Sequence, residues 1–298
     1  MNVSSPLVEN ASSTEMSKLS VKRIIDSYKS DFNIDVSSYF EGLSEISIYQ
    51  CEASKLKFYY PFNLAGDEYF YDDLSKKYSN YYSKWKWEHE HATTFLNSDD
   101  NVLEVGCGNG YFLQKIKNST SSVTGLDFNP SSIKFGKENG ISIVGESIQQ
   151  HSKYRSSYYD YIAAFQLFEH VNEVGNFINS TIACLKKGGR LIIGVPDNDS
   201  PIFKYMPYHT LNLPPHHMLL WDEKSLSYLS NKYNLKLVEI TNQPARANFK
   251  SASYKSYLEY YLGKNLLTNV IHLTTRFVVK ALPFFTKGQT VLAIFEKK

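Results

Sequence analysis

The residues best placed to do chemistry are Glu104, the glycines of Gly106-Cys107-Gly108-Asn109-Gly110, and Asp127. Glu104 sits in a short apolar run, Val102-Leu103-Glu104-Val105, that breaks directly into the glycine turn. Asp127 comes seventeen residues after Gly110, closing a second apolar run, Val123-Thr124-Gly125-Leu126. Glycine takes positive φ and lets backbone approach a ligand with no side chain in the way. A helix predicted from Tyr111 to Lys117 points its amide dipoles back at the turn. An acid at the tip of the second strand can accept both hydroxyls of a ribose. The spacing therefore predicts a nucleoside-binding βαβ unit. A dinucleotide site would read G-x-G-x-x-G, with a pyrophosphate resting on the helix start. Here the glycines read G-x-G-x-G, Tyr111 occupies the place of the third, and Glu104 precedes the turn. A carboxylate there repels a pyrophosphate and suits a cationic amino group, which disfavours an NAD-linked oxidoreductase.

The run V-L-E-V-G-C-G-N-G followed by G-L-D resembles the first two motifs of class I S-adenosylmethionine (SAM) dependent methyltransferases. Tyr159 to Leu167 resembles the fourth strand of that family, and Phe168-Glu169-His170-Val171 the motif after it. Leu185 to Pro196 resembles the helix end, turn and fifth strand. The resemblance spans Asp99 to Ile240, with its motifs in order. It implies an α/β fold with a Rossmann-like, seven-stranded, mostly parallel sheet and an antiparallel last strand. It also implies SAM as cofactor, held by Glu104, Gly106, Cys107, Gly108, Gly110, Asp127 and Phe128. The third strand, Ile141 to Val144, leads to Glu146, Ser147 and Ile148, where relatives carry an acid for the adenine amino group and an apolar edge for the ring. Ligands of open α/β sheets bind beyond the carboxyl ends of the strands, so Gln166 is expected near the methionine part of the cofactor.

For the acceptor side, His216 and His217 follow a Pro214-Pro215 turn and precede Trp221. This resembles the P-P-H-H-x-x-x-W segment of methyltransferases found with sugar and polysaccharide biosynthesis. A neutral imidazole on the rim can take a proton from a hydroxyl as a methyl arrives. His216 or His217 is the expected general base, with His170 a third catalytic candidate and His209 a weaker one. Ubiquinone-biosynthesis O-methyltransferases carry a Glu-x-x-Glu-His pattern linked to a divalent metal. Here its first position is Gln166, a poorer ligand for a hard cation than a carboxylate, so no metal is expected. His89, Glu90 and His91 also suggest ligands, but positions i and i+2 of a helix do not share a face. They read as a solvated helix surface.

The remaining elements must position these groups. Residues 1–20 are polar and expected to be flexible. Residues 21–96 read as an N-terminal cover: a short helix at Val21 to Tyr28, a hairpin of Ile46–Gln50 with Leu56–Tyr60, and an aromatic, helical region from Tyr69 to Leu96 lying over the cofactor. Residues 97–298 read as the SAM-binding domain. Asn129-Pro130 starts a helix, Asp222 caps another, and Leu235 to Ile240 and Thr290 to Phe295 are the last strands. Between them, residues 241–288 read as a helical insertion. Its apolar positions Leu266, Val270, Leu273, Phe277 and Ala281 oppose a polar face of Asn269, His272, Arg276 and Lys280. Packing on the domain or in a homodimer is its expected role, with contact to a membrane surface through 264–287 as the other reading.

Composition limits the partners. A net charge of +2 over 298 residues gives no broad footprint for nucleic acid. Three scattered cysteines form neither a zinc spacing nor a disulfide framework, and the amino terminus lacks an apolar signal segment. A cytoplasmic protein, peripheral to the inner membrane face if the insertion binds lipid, is expected. The function expected is methyl transfer from SAM to a small-molecule hydroxyl, a saccharide or nucleotide sugar. The alternative is a catalytically silent SAM-binding scaffold that docks a partner or membrane through the insertion.

Overall fold

The computed structural model describes residues 3–78, 85–279 and 286–298. The chain opens with β1 (Ser13–Ser20), α1 (Val21–Phe32), β2 (Glu45–Cys51), β3 (Lys57–Tyr60), α2 (Glu68–Lys77) and α3 (Trp87–Thr93). Strand and helix then alternate through β4 (Asn101–Val105), α4 (Tyr111–Ile116), β5 (Ser122–Leu126), α5 (Pro130–Glu138), β6 (Ser142–Val144), α6 (Ile148–His151), β7 (Tyr159–Phe165), α7 (Val174–Cys184) and β8 (Leu185–Pro196). The last part holds α8 (Pro201–Tyr205), β9 (Leu219–Leu220), α9 (Glu223–Lys232), β10 (Leu235–Pro244), α10 (Ala247–Leu262), α11 (Leu266–Val279) and β11 (Lys287–Lys297).

Seven strands form the main sheet in the order β10-β11-β8-β7-β4-β5-β6. Strands β4 to β8 run parallel, and β11 is antiparallel to both β8 and β10. This is the sheet expected from the sequence. A parallel strand covered on both faces reads as a continuous apolar run, and Val102, Leu103, Ile162, Ala163 and Ala164 are all fully buried. The chain leaves β4 toward β5 and β6, then returns to the other side of β4 as β7. That reversal opens a crevice beyond the carboxyl ends of β4 and β7. Helix starts are set locally. Asn129 caps α5 by accepting the Ser131 amide (2.9 Å), with Pro130 at the first turn, and Asp222 and Ser225 form a reciprocal cap on α9.

Three expectations need correction. The described part of the expected flexible tail, residues 3–20, is ordered: Ser13 to Ser20 pair antiparallel with β2, and Val3 and Leu7 are buried against the main core. The side chains of β1 are mostly exposed, so composition hid a strand held by its backbone. The N-terminal layer is also not separable near residue 97. Its sheet, β1-β2-β3-β9, takes its last strand from beyond β8 in the second half of the chain, and Leu213, Met218 and Leu220 pack among Ile24, Tyr28 and Phe70. The insertion holds two helices, α10 then α11, and α11 turns its apolar stripe outward instead of onto the domain. Leu266 is 79% exposed and Leu273 55%. Its inner side is polar: Thr275 and Tyr254 hydroxyls lie 2.9 Å apart and His272 Nε2 lies 3.0 Å from Ser251 Oγ. Lys280 and Ala281 of the predicted faces lie outside the described residues, as does part of the Tyr69 to Leu96 region.

Candidate active site

A cleft of about 1340 Å³ lies over the crevice. One wall is the glycine turn. Gly106, Gly108 and Gly110 have φ of 69°, 50° and 64°. At Gly106 an added Cβ would lie 2.9 Å from both Leu167 methyl carbons, so the close approach requires a bare backbone. The Gly106 and Cys107 amides donate to Leu126 O (2.8 and 3.1 Å), locking the turn to the tip of β5. Asp127 continues that lock. Its Oδ2 accepts the Gly108 amide (2.7 Å) and its Oδ1 the Asn129 amide (2.9 Å). Each carboxylate oxygen keeps a second lone pair for a ribose hydroxyl. Phe128 beside it is 69% exposed at the cleft edge.

Glu104 is buried, and its Oε2 has no hydrogen-bond partner. Burial, then the nearby Asp127, pushes its carboxyl well above the usual carboxylate range, with Lys86 partly opposing. An orphaned buried acid of this kind fits the ammonium of a methionine moiety, which would restore its charge. Burial also drives the Cys107 thiol well up, so that residue packs rather than reacts. The adenine side departs slightly from expectation. Glu146 lines the cleft but is engaged by His151 Nδ1 (2.6 Å) and the Tyr154 hydroxyl. Burial alone would raise its carboxyl, and these two bonds outweigh it and hold the group low. Ser147 caps α6 in a reciprocal pair with Gln150, and Ile148 is buried at the cleft floor. Gln166 adopts a left-handed φ of 52°, with its amide N–H on Gly194 O (2.7 Å) and its side chain on Glu88 Oε1 (3.2 Å). Such backbone costs about 1–3 kcal/mol and is held only where surroundings over-determine it.

The acceptor side brings together residues far apart in the chain. Met218 N–H donates to Glu169 O (3.0 Å) and the Trp221 indole to Phe168 O (3.1 Å), clamping the 168–170 turn against the 214–221 segment. His170, His216 and His217 thereby meet, with ligand atoms within 4.8 Å of one another, a spacing a metal ion could bridge. The histidines expected on a rim are in fact buried. Their tautomers follow from their partners. His170 Nδ1 faces His216 O (2.6 Å), His216 Nδ1 faces Leu211 O (2.8 Å), and His217 Nδ1 faces Asn212 Oδ1 (3.2 Å). Asn212 Nδ2 donates to Asn198 Oδ1 (2.7 Å), which leaves its oxygen as acceptor. Each Nδ1 therefore carries the proton and each Nε2 the basic lone pair. Burial pulls His170 down to about 4 and His216 to about 3, and His217 falls well below its usual range, so all three are neutral near pH 7.

Two acids lie at this floor, Glu169, which the sequence placed only in the discounted metal-linked pattern, and Glu88, to which it gave no role. Glu169, 1% exposed, has neither carboxylate oxygen hydrogen-bonded, and its Oε1 lies 3.9 Å from both His170 Nε2 and His217 Nε2. Burial raises it to about 8. Glu88, on α3, is buried against Gln166, and burial raises it too. The helix carrying it was read as solvated. Instead His89 packs edge-on to Phe165, with ring centroids 4.8 Å apart, while His91 reaches out to Glu239 (2.7 Å). His209 lines the cleft with its Nδ1 unpartnered, away from the cluster's hydrogen bonds.

A family profile described as a methyltransferase domain matches residues 79–240, more than half of the chain. The chain belongs to this methyltransferase family. With the glycine turn, Asp127 and Glu104, that makes it a class I SAM-dependent methyltransferase. Among curated proteins, it is 28% identical over 96 residues to the ubiquinone biosynthesis O-methyltransferase of Klebsiella pneumoniae (strain 342), covering 30% of this chain and 40% of that protein. It is 24% identical over 120 residues to the protein of the same name from Erwinia tasmaniensis, covering 38% and 49%. The chain thus matches less than half the length of these relatives. A crystal structure of a SAM dependent methyltransferase from Archaeoglobus fulgidus superposes with a TM-score of 0.55 at 18% identity, covering 78% of this chain and 100% of that one, and so shares the fold.

Proposed function

We propose that this methyltransferase acts on a hydroxyl of a small molecule, with a saccharide or nucleotide sugar as acceptor. The observation that carries the reading is the cluster of three imidazoles, His216 and His217 buried and His170 half-buried, beside Glu169. SAM, when bound, supplies a methyl group made electrophilic by its sulfonium. Glu104 and Asp127 are the residues that would hold its ammonium and ribose, on the side of the cleft formed by the glycine turn. A single ligand pocket is typically ~300–1000 Å³, so a cleft of about 1340 Å³ has room for cofactor and acceptor together. The outer wall is polar, with Asp72, Asn172, Gln243, Arg246, Asn248 and Gln289 available to sugar hydroxyls.

A hydroxyl must lose its proton as its oxygen gains the methyl carbon. Nε2 of His170 or His217 takes that proton, and the imidazolium formed lies 3.9 Å from Glu169. Burial raises Glu169 to about 8, and its ionised form is the counter-charge for that imidazolium. A hydroxyl of a ubiquinone-biosynthesis intermediate is the second acceptor class, favoured by the names of the curated relatives.

The test is labelled SAM with a panel of saccharides, nucleotide sugars and phenols, read by mass spectrometry. His170→Asn and His217→Asn each keep a donor in the Nδ1 position and remove Nε2. One of them should lower kcat by about 10²-fold or more while SAM affinity stays nearly unchanged. If both retain full activity, the base assignment is wrong. If SAM binds and no hydroxyl in the panel is methylated, the acceptor reading is wrong.

A further inference from the structure

The α10–α11 pair presents a surface that methyl transfer does not use. Leu266, Leu267, Val270 and Leu273 follow one side of α11 and are all exposed, Leu267 at 64%. Tyr260, Tyr261 and Leu262 extend this surface at the end of α10, and all three are exposed. The stretch from Lys250 to Val279 also concentrates charge. It carries Lys250, Lys255, Lys264 and Arg276 against Glu259 alone, a net +3 in a chain whose total is +2. Lys264, at the turn between the helices, is highly exposed, with its Nζ 3.8 Å from Glu259.

We propose that this pair of helices docks the enzyme on an anionic lipid surface. Exposed apolar patches rimmed by polar groups mark interaction sites. A helix with aliphatic residues on one side and basic residues around it lies in the plane of a membrane interface. Tyrosines favour that boundary because one end of the ring is apolar and the other wet. Among the described residues, no helix is long and apolar enough to cross a membrane, so the contact is peripheral. The charge argues against a second copy as the occupant. A two-fold contact would set one basic surface against another, whereas basic residues are stabilised near an anionic leaflet. The first turn of α10 also lines the cleft through Asn248 and Phe249, so the same helix joins the docking surface to the cleft wall.

The test is flotation of the full chain with vesicles of phosphatidylcholine alone or with phosphatidylglycerol added, and needs no acceptor or methyl transfer. Binding should require phosphatidylglycerol and weaken with salt. The double variant Leu266→Glu/Leu273→Glu should lower the partition at least ~10-fold, because two exposed leucines then cannot enter the lipid. Lys264→Glu should lower it several-fold. SAM affinity and circular dichroism of these variants should match the native chain, since all three side chains are exposed away from the cleft. Failure of the native chain to bind phosphatidylglycerol vesicles overturns the proposal. So does equal binding by the double variant. A concentration-dependent dimer that the double variant disperses, with no vesicle binding, would assign the surface to a second copy instead.

Discussion

Replacing Glu169 by Gln tests the electrostatics of the acceptor floor. The buried carboxyl is raised from an ordinary 4.5 to about 8. Between those two values the folded chain holds a proton on Glu169 that the unfolded chain has released. Stability therefore falls as pH rises across this window, by about 1.4 kcal/mol per pH unit. Glu169→Gln keeps the shape and removes the titration. The stability difference between variant and native chain should shift in the variant's favour by about 2–3 kcal/mol from pH 5.5 to 7.5. The depressed histidines act in the opposite direction. Their neutral forms are maintained in the fold, so stability falls as pH drops below their ordinary 6.5 toward about 4 for His170. Both chains share that term, and it cancels in the difference. The assay is urea unfolding at several pH values for both chains, with EDTA present to keep metal ions from the histidines. Parallel stability curves from pH 5.5 to 7.5 would refute a neutral, buried Glu169.

Two further substitutions probe the cofactor side. Asp127→Ala removes the acceptor for two backbone amides and for the ribose. With ~1.5–3 kcal/mol for a hydrogen bond to a charged group, SAM should bind about 10- to 100-fold more weakly by calorimetry, and unchanged affinity would remove Asp127 from the site. Gly106→Ala forces a side chain into a φ of 69° and against Leu167. It should destabilise the chain by about 1–2 kcal/mol for the backbone plus ~0.5–1.5 for the displaced Leu167 rotamer. Adding Leu167→Ala should cancel only the second part in a double-mutant cycle, and strict additivity in chemical denaturation would show that the two do not touch.

The cofactor wall was legible because its chemistry is local. Glycines at positive φ, an acid before them and an acid at the next strand end all lie within one βαβ unit, so spacing alone places them. The acceptor floor was only half legible. His170, His216 and His217 could be named as candidates from their neighbours, but not their burial, tautomers or mutual contact. Those depend on backbone bonds such as Met218 to Glu169, which join segments that no short-range pattern connects. Glu88 looks like a solvent-facing acid, and Glu169 one position of a metal-linked pattern, until the fold removes water from both.

By itself the sequence determined the strand, bare-backbone turn, helix and strand around Gly106 to Asp127, because apolar periodicity and glycine conformation act over a few residues, while the parallel sheet followed from the family its motifs resemble. Tertiary structure decided which polar groups are buried, that a polar-faced strand near the amino terminus pairs with β2, and which side of α11 meets solvent. Periodicity shows that a helix has two faces. Which face turns inward depends on what the neighbouring helix offers, and α10 offers Ser251 and Tyr254, hydrogen-bonding groups that match the polar side of α11.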